Sequence, residues 1–313
     1  MTAAAACAVT LAARAASLNP KDLASDPALV VHLDADALKS TSVGKLLLAD
    51  QDVQTKLAAV QAMFSFDLRS NLHGLTIYTT MDHSQEGVLI LYADFEPDRL
   101  ITLAKAFPGY HSETNGSYVI YNWLDEKKKG NDGAPRIYAA ISGHRLIFGK
   151  SEPVLTAALD VMAGKADNYT GTKMLLKPAD GELIVAQGAV LKFTVEDGNP
   201  SAAVFQASKV VRFKLGEASE KVGAVVSFEA KDADSANQIS AMLNGLLALV
   251  KFQKDPNALK LANMVNLQQD GERVTVSLSV PTSDVVAMLK QGAAEKADNQ
   301  GAADTNSAPA KTQ

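Results

Sequence analysis

Cysteine is almost missing. The chain of 313 residues has one, Cys7, inside the Ala-rich opening "MTAAAACAVTLAARAAS". That excludes a disulfide framework within the chain, and past residue 7 it excludes thiol catalysis and thiolate metal sites. Long apolar runs are missing too. No window reaches the roughly 18 apolar residues of a membrane-spanning helix. The nearest, residues 239–252, is interrupted by Asn244 and Gly245 and reads as a buried core helix. There is no excess of positive charge: 30 Lys and Arg stand against 35 Asp and Glu, a formal net charge of −5. This disfavours a nucleic-acid partner and electrostatic attachment to an anionic membrane. The one basic run, Lys127–Lys129, follows Asp125 and Glu126 and reads as a solvated loop. Also absent are HExxH, paired CxxC and G-x-S-x-G. No catalytic residue and no cofactor is therefore nominated, and the chain is expected not to be an enzyme.

What is present suffices for a sizeable core, with 47% apolar and 21% charged residues. Ala13-Arg14-Ala15 fits the small-x-small pattern of a signal-peptidase site, although only Met1 and Thr2 precede the alanines. Residues 1–19 are read as a signal-peptide remnant or a frayed N-terminal segment, with location in the periplasm or outer envelope and a cytoplasmic alternative. Residues 293–313 have no large aliphatic or aromatic side chain and are expected to be a disordered tail.

Three pairs of segments recur in the same order. "DPALVVHLD" (26–34) matches "DGELIVAQG" (180–188). "EGVLILYADFEPDRLITL" (86–103) matches "VGAVVSFEAKDADSANQI" (222–239). "SGHRLIFGKSEPVLTAAL" (142–159) matches "DGERVTVSLSVPTSDVVAML" (270–289), with Gly143 on Gly271, Arg145 on Arg273 and Pro153 on Pro281. A tandem duplication is expected, with repeats over 20–170 and 171–292. Alternating strands and hairpin signals at Asn115-Gly116, Ser142-Gly143 and Asp270-Gly271 predict an α+β fold. Its sheet should be mostly antiparallel, with helices packed on one face.

His32, Asp34 and Asp36 are the candidate metal ligands. Alternation along a strand puts all three on one face, neighbours about 6.5–7 Å apart. The simpler reading has Asp36, or the hydroxyls at 40–42, capping the next helix, with His32 and Asp34 facing solvent or a helix edge. Ala186 and Gly188 stand at the matched positions of the second repeat. "SVGK" (42–45) is no phosphate loop, because Lys39 and Leu46 occupy the places of the required Gly and Ser/Thr. Asp82, His83 and Glu86 read as a polar hairpin loop. His73, His111 and His144 stand singly beside turns. Tyr121 and Trp123 share a strand face with Val119, opposite Tyr118, and are expected to fill the space between sheet and helix. The sequons at Asn115 and Asn168 matter only in a eukaryotic secretory setting.

"DPALVVHLDADALKSTSVGKLLL", "FSFDLRSNLHGLTIY", "GVLILYADFEPDRLITLAK" and "RLIFGKSEPVLTAALDVMAGK" resemble a group of exported envelope proteins of Gram-negative bacteria, over most of residues 26–290. No activity is assigned to that group. The resemblance implies an envelope location and carries no functional residue with it. The leading expectation is an exported, non-enzymatic binding or scaffolding protein whose partner is an envelope protein or a small ligand. Two alternatives stand beside it: a hydrolase or metal enzyme built on His32, Asp34 and Asp36, and a carrier of an apolar ligand with the 236–252 helix lining its pocket.

Overall fold

The structure is a computed structural model that describes residues 18–64, 66–81, 86–128, 133–170, 182–189, 200–252 and 255–292. Most of the N-terminal segment, Cys7, Asp82, His83, Lys129 and the 293–313 tail lie outside the described residues.

The first strand, β1 (Pro27–Asp34), runs into helices α1 (Ala35–Ser40), α2 (Ser42–Ala49), α3 (Gln51–Phe64) and α4 (Leu68–Asn71). Strands β2 (Leu72–Thr80) and β3 (Val88–Ala93), helix α5 (Pro97–Ala104), strands β4 (His111–Asn115), β5 (Tyr118–Leu124), β6 (Arg136–Ser142) and β7 (Arg145–Gly149), and helix α6 (Glu152–Met162) follow. Next come β8 (Glu182–Ala189), α7 (Pro200–Gln206), β9 (Ser208–Ala218), β10 (Lys221–Ala230), α8 (Ala233–Lys251), α9 (Pro256–Met264), β11 (Val265–Asp270) and β12 (Arg273–Pro281). A last helix, α10, covers 282–292.

The twelve strands of the described residues form one antiparallel sheet in the order β11-β12-β10-β9-β8-β1-β2-β3-β7-β6-β5-β4. Beta-branched and aliphatic residues dominate the central strands, as burial on a pleated surface favours. The fold is thus α+β with a large antiparallel sheet. Strands β1 and β8 meet at its centre, with Val31 opposite Ala186 and His32 opposite Val185.

Strand register sorts side chains between the two faces, since directly opposed residues point the same way. One face carries an unbroken lateral row of apolar residues: Leu267, Val276, Val226, Phe213, Ala186, Val31, Ile77, Leu89, Phe148, Ala139 and Tyr121. The other face carries His32, Thr76 and Ile90 in one row. Helix α6 covers this second face, packing Leu155 and Leu159 into a core with Val30, Tyr78, Ile90, Ile120 and Ile147. Helix α8 covers the first, packing Ala236 and Ile239 against Phe228 and Val274. Helices therefore lie on both faces, not on one as the hairpin pattern suggested. A sheet apolar on both sides needs cover on both.

Helix α8 is also less buried than its apolar run implies. Only Ala236 and Ile239 are buried in it, and at its C-terminal end Leu249 and Phe252 are 65% and 85% exposed. The hairpin expected at Asn115-Gly116 turns one residue later. Asn115 pairs with Tyr118, so the loop is Gly116-Ser117, with positive φ on the glycine alone, as a type II′ turn requires. Gly143 and Gly271 hold the same place in the β6–β7 and β11–β12 turns.

Candidate functional site

The three residues nominated as metal ligands do not converge. His32 is on β1 and 1% exposed, in the sheet centre, with its Nδ1 2.8 Å from the Thr76 hydroxyl and its ring edge-on to Tyr92. Asp34 is the N-cap of α1, its carboxylate accepting from the Ala37 N–H at 2.8 Å. Asp36 lies on α1 itself, so strand alternation ends before it reaches this residue. Neither His32 nor Asp34 faces solvent; Thr41 caps α2, as expected of the hydroxyls at 40–42, while α1 is capped by Asp34 and not by Asp36. Among the described residues, no group of three or more His, Cys, Asp or Glu side chains could hold a metal ion. Asp22, unremarkable in the sequence, sits on the same face as His32. It is 2% exposed, paired with the Arg145 guanidinium, and accepts a hydrogen bond from the Tyr92 hydroxyl at 3.1 Å. Burial, with the Asp22 charge, pushes the Tyr92 hydroxyl well above the usual phenol range. This group ties the N-terminal turn at 20–22 to β3 and β7.

Gly44 of "SVGK" has a steric role. A Cβ there would lie 1.8 Å from the Leu38 carbonyl oxygen, so glycine is what lets α2 start against the end of α1. Ser42 and Val43 donate their N–H groups to the Glu217 carboxylate at 2.9 and 3.1 Å, which caps α2 from β9.

Asp36 finds its partner in a histidine that stands alone in the sequence. His73, on β2, has Nδ1 2.8 Å from Asp36 and Nε2 3.1 Å from Asp94, and Asp94 also accepts from His144 at 3.2 Å. Lys39 closes on Asp36 at 2.6 Å. A ring with a carboxylate on each nitrogen satisfies both only as imidazolium. Burial pulls the His73 pKa down, but the hydrogen bonds to Asp36 and Asp94 outweigh it and the pKa is raised. The bond from His73 holds Asp94 below the usual carboxylate value. The cluster joins α1, β2, the β3–α5 turn and the β6–β7 turn. Glu86, from the same loop as Asp82 and His83, accepts a hydrogen bond from Ser151 at 2.7 Å.

An apolar hollow lies on the first face, between α5 and β5, β6 and β7. It encloses about 540 Å³ and is lined by Leu100, Ile101 and Phe107 from above and by Tyr121, Trp123, Ile137, Ile141, Leu146 and Phe148 from the sheet. Trp123 stacks on Phe107, ring centroids 5.3 Å apart. No residue of α5 is fully buried, so this helix roofs the hollow without filling it. Tyr121 and Trp123 thus line a cavity where the sequence suggested a filled core. Tyr118, on the opposite face, donates its hydroxyl to Asp160 at 2.8 Å. Helix α8, the helix the sequence offered as a pocket wall, takes no part in lining this hollow. A row of hydrophobic side chains was visible in each strand. Their assembly beneath α5 depends on β5, β6 and β7 being neighbours.

The chain is thus an α+β protein with a continuous antiparallel sheet and an apolar cavity under one helix. No protein-family model matches it, and no curated protein does. Among solved structures it is similar to crystal form III of TP0453, with a TM-score of 0.48 and 9% identity over 88% of this chain and 99% of that one. Crystal forms I and IV of TP0453 give TM-scores of 0.46 with 8% and 7% identity, again over 88% of this chain.

Proposed function

We propose that this protein is an exported, non-enzymatic binding protein that holds an apolar ligand in the cavity between α5 and the sheet. The carrying observation is that cavity: about 540 Å³, walled by aliphatic and aromatic side chains, in the size range of small-molecule sites. The face it belongs to supports the reading. Its apolar row continues past the cavity to Ile77, which is 38% exposed in mid-sheet, so apolar surface is left for a ligand to cover. No membrane-crossing helix competes for that surface, since none of the described helices is long and apolar enough. An envelope location remains part of the proposal and rests on the Ala13-Arg14-Ala15 pattern and the family resemblance.

We also propose that the chain arose by tandem duplication. The support is the strand order. Outward from the β1–β8 pair, one side reads β1-β2-β3-β7-β6 and the other β8-β9-β10-β12-β11, with β4–β5 as an added hairpin. The faces require one change in the match between β1 and β8. Val31 opposes Ala186, so Ala186 points away from the His32 face, whereas Gln187 shares that face and is 2% exposed. Gln187 is therefore the better counterpart of His32, and the polar position belongs to both repeats.

Trp123, the single tryptophan, gives the functional test its probe. A dibrominated fatty acid should quench its fluorescence saturably. Ala139→Phe, which adds a ring to the sheet floor of the cavity, should weaken the quenching about ten-fold or more. Absence of saturable quenching in the unaltered protein would remove the apolar-ligand reading.

A further inference from the structure

The ladder between β5 and β6 stops early. It runs from Leu124↔Arg136 to Tyr121↔Ala139, yet both strands continue for three residues beyond that point, to Tyr118 and Ser142. The flanking hairpins decide which residues this leaves open. Asn115 and Tyr118 flank a two-residue loop, as do Ser142 and Arg145. Residues closing such loops exchange hydrogen bonds with each other, and alternate residues turn their N–H and C=O to the opposite side. Val119 and Ile141 are those alternate residues, and both turn toward the gap. They would form the next hydrogen-bonded pair after Tyr121↔Ala139, and the ladder does not include them.

Space exists at that point. A hollow of about 430 Å³ lies there, lined by Val119 and Ile141 among others, and it shares Ile101, Tyr121 and Ile141 with the apolar cavity under α5. An apolar chamber therefore adjoins a slot whose walls offer a backbone donor on one strand and a backbone acceptor on the other. Main-chain groups turned inward like this recognise an amide, which can accept from one side and donate to the other.

We propose that the ligand is an acyl chain joined through an amide. The chain lies under α5, and the amide docks between Val119 and Ile141, accepting from one strand and donating to the other. This rests on the apolar-cavity reading and deepens it. Two sources share the chemistry, an N-acylated amino acid and the acylated N-terminus of a peptide.

The test is displacement of the dibrominated fatty acid from the full chain, read by recovery of Trp123 fluorescence. N-lauroylglycinamide should compete about ten-fold better than methyl laurate, which has a chain and a carbonyl but no N–H. N-acetylglycinamide, which has the amide without the chain, should not compete. Val119→Pro removes one N–H that points away from β4, because Val119 and Thr114 form a non-hydrogen-bonded pair of that ladder, a place where strands tolerate proline. It should weaken N-lauroylglycinamide and methyl laurate alike, since each presents a carbonyl to that N–H, while the amide keeps its advantage through the N–H it donates to the facing strand. An N-lauroyl tripeptide amide that binds as well as N-lauroylglycinamide assigns the acylated peptide, and a ten-fold loss assigns the acyl amino acid. Equal binding of amide and ester to the unaltered protein overturns this proposal and leaves the cavity reading standing. No binding by any chain-bearing probe overturns both. If Val119→Pro fails to fold by circular dichroism, the amide-to-ester ratio on the unaltered protein decides alone.

Discussion

His73 makes the protein's stability depend on pH. Its ring lies between Asp36 and Asp94, and its pKa is raised above the ordinary histidine value of 6.5. A raised folded-state pKa means that the native state holds the proton more tightly than the unfolded chain does. The resulting stability is fully present below about pH 6.5 and is lost as pH rises through the folded value. Asp94 describes the same interaction from the other side. Its pKa is lowered, so its share is present above about pH 4 and lost as pH falls through the folded value. The bond is therefore strongest from about pH 4 to pH 6.5. His73→Asn should lower the urea midpoint at pH 5.5 and have a smaller effect at pH 8.5. An equal loss at both values would mean that the ring acts through packing alone. The sequence pointed to Asp36 but not to its partner. The contact needs the β2 start, the β3–α5 turn and the β6–β7 turn at one corner of the sheet, and no local pattern encodes that meeting.

At the scale of elements, the β9–β10 turn breaks the usual pairing of residue type with conformation. Ser219 and Glu220 both have positive φ, 50° and 59°, between Ala218 and Lys221, which pair with each other. A two-residue loop with positive φ at both positions is a type I′ turn, and Asn-Gly is the pair best suited to it. Glu220 contributes its carbonyl to the Thr282 N–H at 2.9 Å, a bond that any residue can make. Replacing Ser219-Glu220 by Asn-Gly should stabilise the protein by about 1 kcal/mol, read as a higher urea midpoint at unchanged slope. An unchanged or lower midpoint would show that the turn is held by its strands and not by its residues. This turn had no marker in the sequence, because neither residue is a turn former of that type. By contrast, the turns at Gly143 and Gly271 and the alternation of β1 were legible, each being a local steric rule. The surface of α8 was not. Its apolar residues outnumber what one helix face can bury, and only the tertiary contact decides that Ile239 goes in while Phe252 stays out.

For the whole molecule, the decisive contact is the seam between β1 and β8. It joins segments about 150 residues apart, and non-local pairing of this kind leaves no trace in periodicity. Repetition in the sequence was visible, but a pair of repeats is compatible with two separate sheets or with one. The seam makes one. Val30 and Val185 are 0% and 1% exposed on either side of it, with His32 and Gln187 beside them at 1% and 2%. The N-terminus of α2, in the first half of the chain, is capped by Glu217 from the second. Separating the two halves would uncover these side chains and surrender the backbone hydrogen bonds between two central strands to water, each a cost of about 0.5–1.5 kcal/mol. The chain should therefore unfold as one cooperative unit. Trp123 reports on the outer end of the first half of the sheet alone, while far-UV circular dichroism reports on the whole sheet. Their urea transitions should coincide in midpoint and slope. If Trp123 instead loses its signal at a denaturant concentration where much of the dichroism persists, the seam is weaker than its burial implies and the two halves melt as separate bodies.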